Sequence, residues 1–176
     1  MTMRTMMNTV DDCAAQLAWL AATSLRFRPK TGDTVARGAQ LASAFEQLTP
    51  EDRLKLIPLV TPEVGMKLMG LSGFMAEAAI NTGEAALIRA ALMLHVLEDF
   101  RKDYRENYRY LILIDYAARE LGVDFKAVIE SVMPLASVHA RVRLTGFAAR
   151  DAETNQLASF GLKGELVDGL FRFSPA

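Results

Sequence analysis

The sequence has very few of the side chains that build disulfides and metal sites. Cys13 is the only cysteine among the 176 residues, which excludes an intramolecular disulfide and a multi-cysteine metal centre. His95 and His139 are the only histidines, which argues against a histidine-rich zinc site. We therefore predict no metal site and no cofactor, and we expect Cys13 to be a buried, unreactive thiol within a helix.

The chain also lacks a large net charge and a long apolar run. A formal charge of −1 provides no general attraction to nucleic acid or to acidic lipid. Uncharged runs such as 68–76 are far shorter than the roughly 20 residues that span a bilayer. The nearly uncharged stretch 13–25 does not fit a signal peptide, because Asp11 and Asp12 precede it where basic residues would be expected. We expect a cytoplasmic location and no membrane association.

Catalytic motifs are missing as well. The sequence contains no phosphate-binding glycine loop and no nucleophile elbow. His95 and Glu98 stand at the i, i+3 spacing of metal ligands, but a di-iron bundle needs the Glu-x-x-His form on two helices, and neither copy is present. The sequence therefore predicts no catalytic residues and a function other than catalysis.

What is present is a long series of helix signals. Thr-Pro-Glu occurs at 49–51 and again at 61–63, which gives a cap, a proline at the first helical position and an acid in the first turn. We predict one all-α domain over residues 1–176, with about seven to eight helices packed as antiparallel hairpins. The series resembles HEAT repeats in style, but it has no fixed period, and an irregular bundle is the alternative.

The two ends of the chain differ from this helical pattern. Residues 1–8 contain four methionines without a clear period, and we expect them to be flexible. Near the other end, Asp168 and Gly169 lie between short apolar runs. This arrangement predicts a small C-terminal β-hairpin over residues 162–174.

The segment 84–122 is predicted to be the central helical pair, with helices over 84–100 and 104–121. Arg89 and Asp115 are each a lone charge on an apolar face, and each lies 13 residues from Lys102 (102 − 89 and 115 − 102). Equal rise per residue would bring them level in an antiparallel hairpin, so we predict a structural ion pair. The alternative is that Asp115 lines a pocket and has an altered pKa.

The segment 98–109 holds four acidic, four basic and three aromatic residues. Such a run is usually a solvated tip, but tyrosine and arginine are also the residues that protein interfaces favour. The residues predicted to bind a partner share this mixture of charge and aromatic character. They are Asp99, Arg101, Tyr104, Arg105, Tyr108 and Arg109.

A nucleic-acid-binding function is a competing interpretation. Residues 118–132, with Gly122 in the turn, resemble a bacterial helix-turn-helix, and the following basic helix 139–150 would add arginines at its side. The positions that should contact bases, however, hold mainly acidic and apolar residues, with Lys126 as the only basic one. The arginines in question are Arg141, Arg143 and Arg150.

A third interpretation is an RNase. Arg89 and His95 are similar to the loose arginine-to-histidine spacing of HEPN-type RNases. Six helical steps place these side chains about 120° apart, and the residues between them are apolar. We expect instead that His95 lies on a polar edge with Glu84 and Asp99.

The exclusions and the composition together favour a non-catalytic helical interaction module. It would be a bacterial-style adaptor, inhibitor or immunity-like binder that docks a protein through the tip 98–109 or an adjacent groove. A homodimer is a further alternative, and nucleic acid is the less favoured partner.

Overall fold

Eight α-helices and a two-stranded sheet form the computed structural model, which describes residues 9–23, 33–98, 108–150 and 156–176. The helices are α1 (Thr9–Ala22), α2 (Asp33–Glu46), α3 (Pro50–Leu54), α4 (Pro62–Thr82), α5 (Ala86–Glu98), α6 (Arg109–Glu120), α7 (Phe125–Val132) and α8 (Val138–Ala148). The antiparallel strands are β1 (Leu162–Val167) and β2 (Leu170–Pro175). The predicted all-α fold with a C-terminal hairpin is confirmed. Residues 1–8 lie outside the described residues.

The two Thr-Pro-Glu signals start helices as predicted. The Thr49 hydroxyl accepts a hydrogen bond from the Asp52 N–H, and the Thr61 hydroxyl accepts one from Val64, both at 3.2 Å. Each threonine therefore satisfies a free N–H of the first turn, and the proline after it loses no hydrogen bond. The second helix, α4, continues to Gly83, which ends it with a φ of 74°.

The core lies around α4 and α5. Ten of the thirteen residues of α5 are buried. This confirms the prediction that α5, which is apolar on nearly all sides, is a central helix. Helix α4 contacts α1, α2, α5, α6 and β2. Because these partners include elements distant in the chain, the helices form an irregular bundle and not a one-dimensional stack of repeats. Within the described residues, no helix combines the length and the apolarity needed to cross a membrane.

The hairpin lies against the helices through its aromatic side chains. Asp168 and Gly169 have φ values of 54° and 80°, the positive pair that a type I′ turn requires. Phe171 stacks on Tyr116 with ring centroids 5.7 Å apart, and Phe173 meets the same ring edge-on at 5.8 Å. A two-stranded hairpin alone is marginally stable, so these contacts with α6 help to fix its position.

Candidate functional site

The predicted ion pair between Arg89 and Asp115 is wrong. Arg89 Nη2 lies 2.6 Å from Glu46 Oε1, and its Nε donates to the Ser131 hydroxyl at 3.1 Å. Asp115 Oδ2 lies 3.3 Å from Arg119 Nη2, one turn along its own helix. Equal rise from residue 102 predicts only the height of a residue along its helix. The actual partners of Arg89 lie on α2 and α7, elements that this local count does not include.

Asp115 also does not line the pocket described below, although its pKa is altered. Burial raises the pKa of the Asp115 carboxyl above its ordinary value, and the positive charge of Arg119 opposes part of that shift. The ionised carboxylate is therefore less favourable in the folded protein than in the unfolded chain. The altered pKa of Asp115 agrees with the alternative interpretation of this residue, whereas its predicted partner, Arg89, is wrong.

Substitution of Asp115 with asparagine tests this assignment. A raised folded pKa stabilises the protein below the unfolded pKa, and this stabilisation is lost as the pH rises through the folded pKa. At pH 7 we therefore expect Asp115→Asn to keep or raise the free energy of unfolding, by at most about 1 kcal/mol. Urea denaturation at pH 7 and near pH 3 should show the difference disappearing in acid. A loss of about 3–5 kcal/mol at pH 7 would instead indicate a buried, paired Asp115.

The predicted partner-binding residues fall into two groups. Asp99, Arg101, Tyr104 and Arg105 lie outside the described residues. Tyr108 and Arg109 are described by the structure and lie at the start of α6. Their side chains contact different parts of the fold.

Tyr108 belongs to an aromatic cluster against α8. Its ring meets Phe147 edge-on with centroids 5.6 Å apart, and the Arg150 guanidinium carbon lies 5.1 Å from the ring centroid. Tyr108 is half-buried by these neighbours. Its contact with a partner stays a prediction, and its contact with α8 is structural.

Arg109 is exposed and lines a cavity of about 210 Å³ between α4, α6 and the hairpin, which we call the α4–α6 pocket. Most of its wall is apolar or aromatic, and its polar side chains are Glu77, Arg109 and Ser174. The residues that line it are Gly70, Gly73, Phe74, Glu77, Arg109, Tyr110, Leu113, Leu162, Phe173, Ser174 and Pro175. The pocket is therefore an apolar recess with a few polar groups, as binding sites usually are.

Two side chains of α4 hold β2 in place beside this pocket. Glu77 Oε1 accepts a hydrogen bond from the Phe173 N–H at 3.3 Å. Asn81, one turn later, accepts one from the Phe171 N–H at 2.8 Å and donates to the Phe171 carbonyl at 3.0 Å. Alternate residues of β2 are thus bonded to one face of α4, which protects this strand edge from pairing with another chain.

The polar groups of the pocket differ in their surroundings. Glu77 is buried, with 9% of its surface exposed. The Ser174 hydroxyl oxygen is buried and has no hydrogen-bond partner. A buried hydroxyl without a partner is unfavourable, so a group that enters the pocket and bonds Ser174 would gain that energy.

Sequence analysis did not identify Glu77 or Ser174 as site residues. A signal for Glu77 was present, because it is the only charged residue between Lys67 and Glu84. Glu77 is a lone charge on an apolar helix, as Arg89 is, and the same pattern predicts it as a site residue. Ser174 has no comparable signal, because its position depends on how the hairpin docks.

The basic helix 139–150 uses its central arginine internally. Arg143 is 3% exposed, and its Nη2 lies 3.0 Å from His95 Nδ1 and 3.6 Å from Glu98 Oε2. Arg150 packs on Tyr108, as described above. Arg141 Nε donates to the Met133 carbonyl at 3.2 Å, so all three arginines proposed for nucleic-acid binding make contacts within the fold.

His95 is buried, so the expectation of a polar edge with Glu84 and Asp99 is wrong. Burial and then the positive charge of Arg143 lower the pKa of His95 well below its ordinary value. The neutral imidazole accepts the Arg143 hydrogen bond at Nδ1. Arg89 contacts α2 and α7 instead, so the structure does not bring together the two residues of the RNase hypothesis.

The segment that resembles a helix-turn-helix packs as an ordinary helical corner. Helix α6 ends at Glu120, Gly122 adopts a φ of 68°, and Asp124 caps α7. Phe125 and Ile129, at positions where a reading helix would contact bases, are buried. This face of α7 is therefore not available to a nucleic acid.

No protein-family model, curated protein or solved structure matches this chain. Over the described ranges, no three histidine, cysteine, aspartate or glutamate side chains are placed to hold a metal ion. The features that indicate a function are therefore the α4–α6 pocket and the segment that ends at Arg109.

Proposed function

We propose that the protein is a non-catalytic helical interaction module, which binds a protein partner in the α4–α6 pocket and through the segment 98–109. The observation that carries this proposal is that Arg109 belongs to both. The last residue of the tyrosine- and arginine-rich segment is also an exposed residue of the pocket wall. Interfaces favour this combination of arginine, tyrosine and a recess that takes an anchor side chain. We place this activity in the cytoplasm, as an adaptor, inhibitor or immunity-like binder.

The size of the pocket supports a protein partner over a small-molecule substrate. Its volume of about 210 Å³ is below the roughly 300–1,000 Å³ that small-molecule sites usually occupy. A recess of this size suits one side chain of a partner, with the remaining contacts made on the surrounding surface. Phe74, Tyr110 and Phe173 offer apolar contact to that side chain, and Ser174 offers a hydrogen bond.

Charge reversal at Arg109 tests the proposal. The wild-type protein, Arg109→Glu and a control, Lys126→Glu, are immobilised and used to capture proteins from the cell of origin, with quantitative mass spectrometry as the measurement. Lys126 is exposed on α7, away from the pocket, and the Lys126→Glu substitution changes the net charge by the same amount as Arg109→Glu. We expect a captured protein whose binding weakens at least about tenfold with Arg109→Glu, or about 1.4 kcal/mol, and stays unchanged with Lys126→Glu.

Both variants should first be shown to keep the wild-type melting temperature within the small range expected of surface substitutions. If every captured protein binds wild type and Arg109→Glu equally well, the pocket is not a partner site. Loss of binding with both variants would indicate general charge attraction and would also contradict the proposal.

A further inference from the structure

The two edges of the β-hairpin differ in how they are covered. On β2, Asn81 bonds both the N–H and the C=O of Phe171, so these main-chain groups point away from β1. Residues that lie opposite each other in an antiparallel pair point outward together, each on its own side. Phe171 lies opposite Leu166. The N–H and C=O groups of Leu166, and of Gly164 two residues earlier, therefore face the outer edge of β1.

The outer edge of β1 is exposed at its centre. Gly164 is exposed, and because it has no side chain, its exposed surface is main chain. A Cβ at this position would lie 2.5 Å from the Phe171 ring, so Phe171 covers one face of Gly164 and the exposed part is the edge and the opposite face. Leu166 is 75% exposed. Asn81 and Tyr116 hold the hairpin through Phe171 of the other strand. An exposed strand edge of this kind is a template for another strand.

The charges of β1 are complementary to those of a second β1 strand. Lys163 and Glu165 flank Gly164, with Nζ and Oε2 3.6 Å apart in one chain. In an antiparallel pair of β1 strands centred on Gly164, Lys163 of each copy lies opposite Glu165 of the other, and Leu162 lies opposite Leu166. Because Gly164 and Leu166 make the hydrogen bonds of this pair, the two charged pairs occupy the non-hydrogen-bonded positions, where side chains approach most closely. An edge lysine discourages pairing with an unrelated strand, whereas a second copy brings a glutamate to it.

We propose that two copies of the protein pair through their β1 strands, antiparallel and centred on Gly164, and form a continuous four-stranded sheet across a two-fold axis. Such an interface uses the same surface of both copies, as two-fold dimers do. Main-chain hydrogen bonds join the strands, and the two pairs of Lys163 with Glu165 fix their register. One contact between strand edges is small, so the dimer is weak, with a Kd in the micromolar range. It needs no occupant of the α4–α6 pocket and does not depend on the function proposed above.

Sedimentation equilibrium from micromolar to near-millimolar concentration measures the Kd of this dimer. We expect the wild type to dimerise in that range and Lys163→Glu to weaken the Kd at least about tenfold, because the substitution turns two attractive cross-strand pairs into two repulsive ones. Glu165→Lys should have the same effect. The double variant, Lys163→Glu with Glu165→Lys, restores both pairs and should return the Kd to near the wild-type value. The control Lys126→Glu makes the same change in net charge as Lys163→Glu and should dimerise as wild type does.

Leu166→Pro tests the main-chain hydrogen bonds, because proline removes an N–H that faces the outer edge and none from the pairing of β1 with β2. This variant should be monomeric. If it fails to fold, the charge variants still decide the question, because the side chains of Lys163 and Glu165 are 54% and 38% exposed and their substitution should leave the melting temperature near that of wild type. A wild type that stays monomeric at every concentration would overturn the proposal and leave the edge to a different chain. A dimer that Lys163→Glu does not weaken, that the double variant does not restore, or that Lys126→Glu weakens equally would also overturn it.

Discussion

Replacement of Glu98 with alanine is expected to lower the free energy of unfolding by about 3–5 kcal/mol. Glu98 ends α5 with 4% of its surface exposed, and its carboxylate lies 3.6 Å from the Arg143 guanidinium. The same guanidinium also contacts His95, whose imidazole is neutral and offers no charge. Without Glu98, Arg143 would lose a buried carboxylate, and the neutral ring would not replace that charge.

Urea denaturation followed by circular dichroism measures this loss. Glu130→Ala, an exposed acid on α7, is the matched control and should change stability by no more than about 0.5 kcal/mol. A double variant, Glu98→Leu with Arg143→Leu, should recover most of the lost stability, because an apolar pair leaves no charge behind. A loss below about 1 kcal/mol for Glu98→Ala would mean that the Arg143 charge is balanced elsewhere.

The cluster of Glu98, Arg143 and His95 shows what local sequence patterns can and cannot predict. Helical periodicity correctly indicated that α5 is buried on nearly all sides. It could not indicate that an arginine 48 residues from His95 enters that core, because periodicity describes one helix at a time. The basic character of 139–150 therefore suggested a nucleic-acid surface, whereas Arg143 serves as an internal counter-ion.

The same limit explains the error at Arg89 and the omission of the pocket. Helix starts were predicted well where a local cap defines them, as at Thr49 and Thr61. Partners across the fold depend on where neighbouring helices start and how they cross, which a residue count along one helical pair does not give. Glu77 and Phe173 are 96 residues apart, so the pocket between their elements could not be derived before the hairpin was placed.

Replacement of Phe173 with alanine is expected to release the hairpin from the helices. Phe173 is 6% exposed and packs edge-on against both Tyr116 and Phe171, at centroid distances of 5.8 and 5.0 Å. Truncation of a buried phenylalanine costs about 3–5 kcal/mol. A two-stranded hairpin has little stability of its own, so this loss should appear as local undocking while the helical core stays folded.

Hydrogen exchange followed by NMR distinguishes the two outcomes. We expect the Phe171 amide, which is bonded to Asn81 in the wild type, to lose its protection in Phe173→Ala, while the amides of α5 keep theirs. Leu166→Ala, at a position 75% exposed near the hairpin turn, is the control and should leave both sets protected. Equal loss of protection in α5 would show that the hairpin is an integral part of the global fold. If it undocks alone, the α4–α6 pocket loses the wall formed by β2, and any partner whose capture depends on Arg109 should be lost with it.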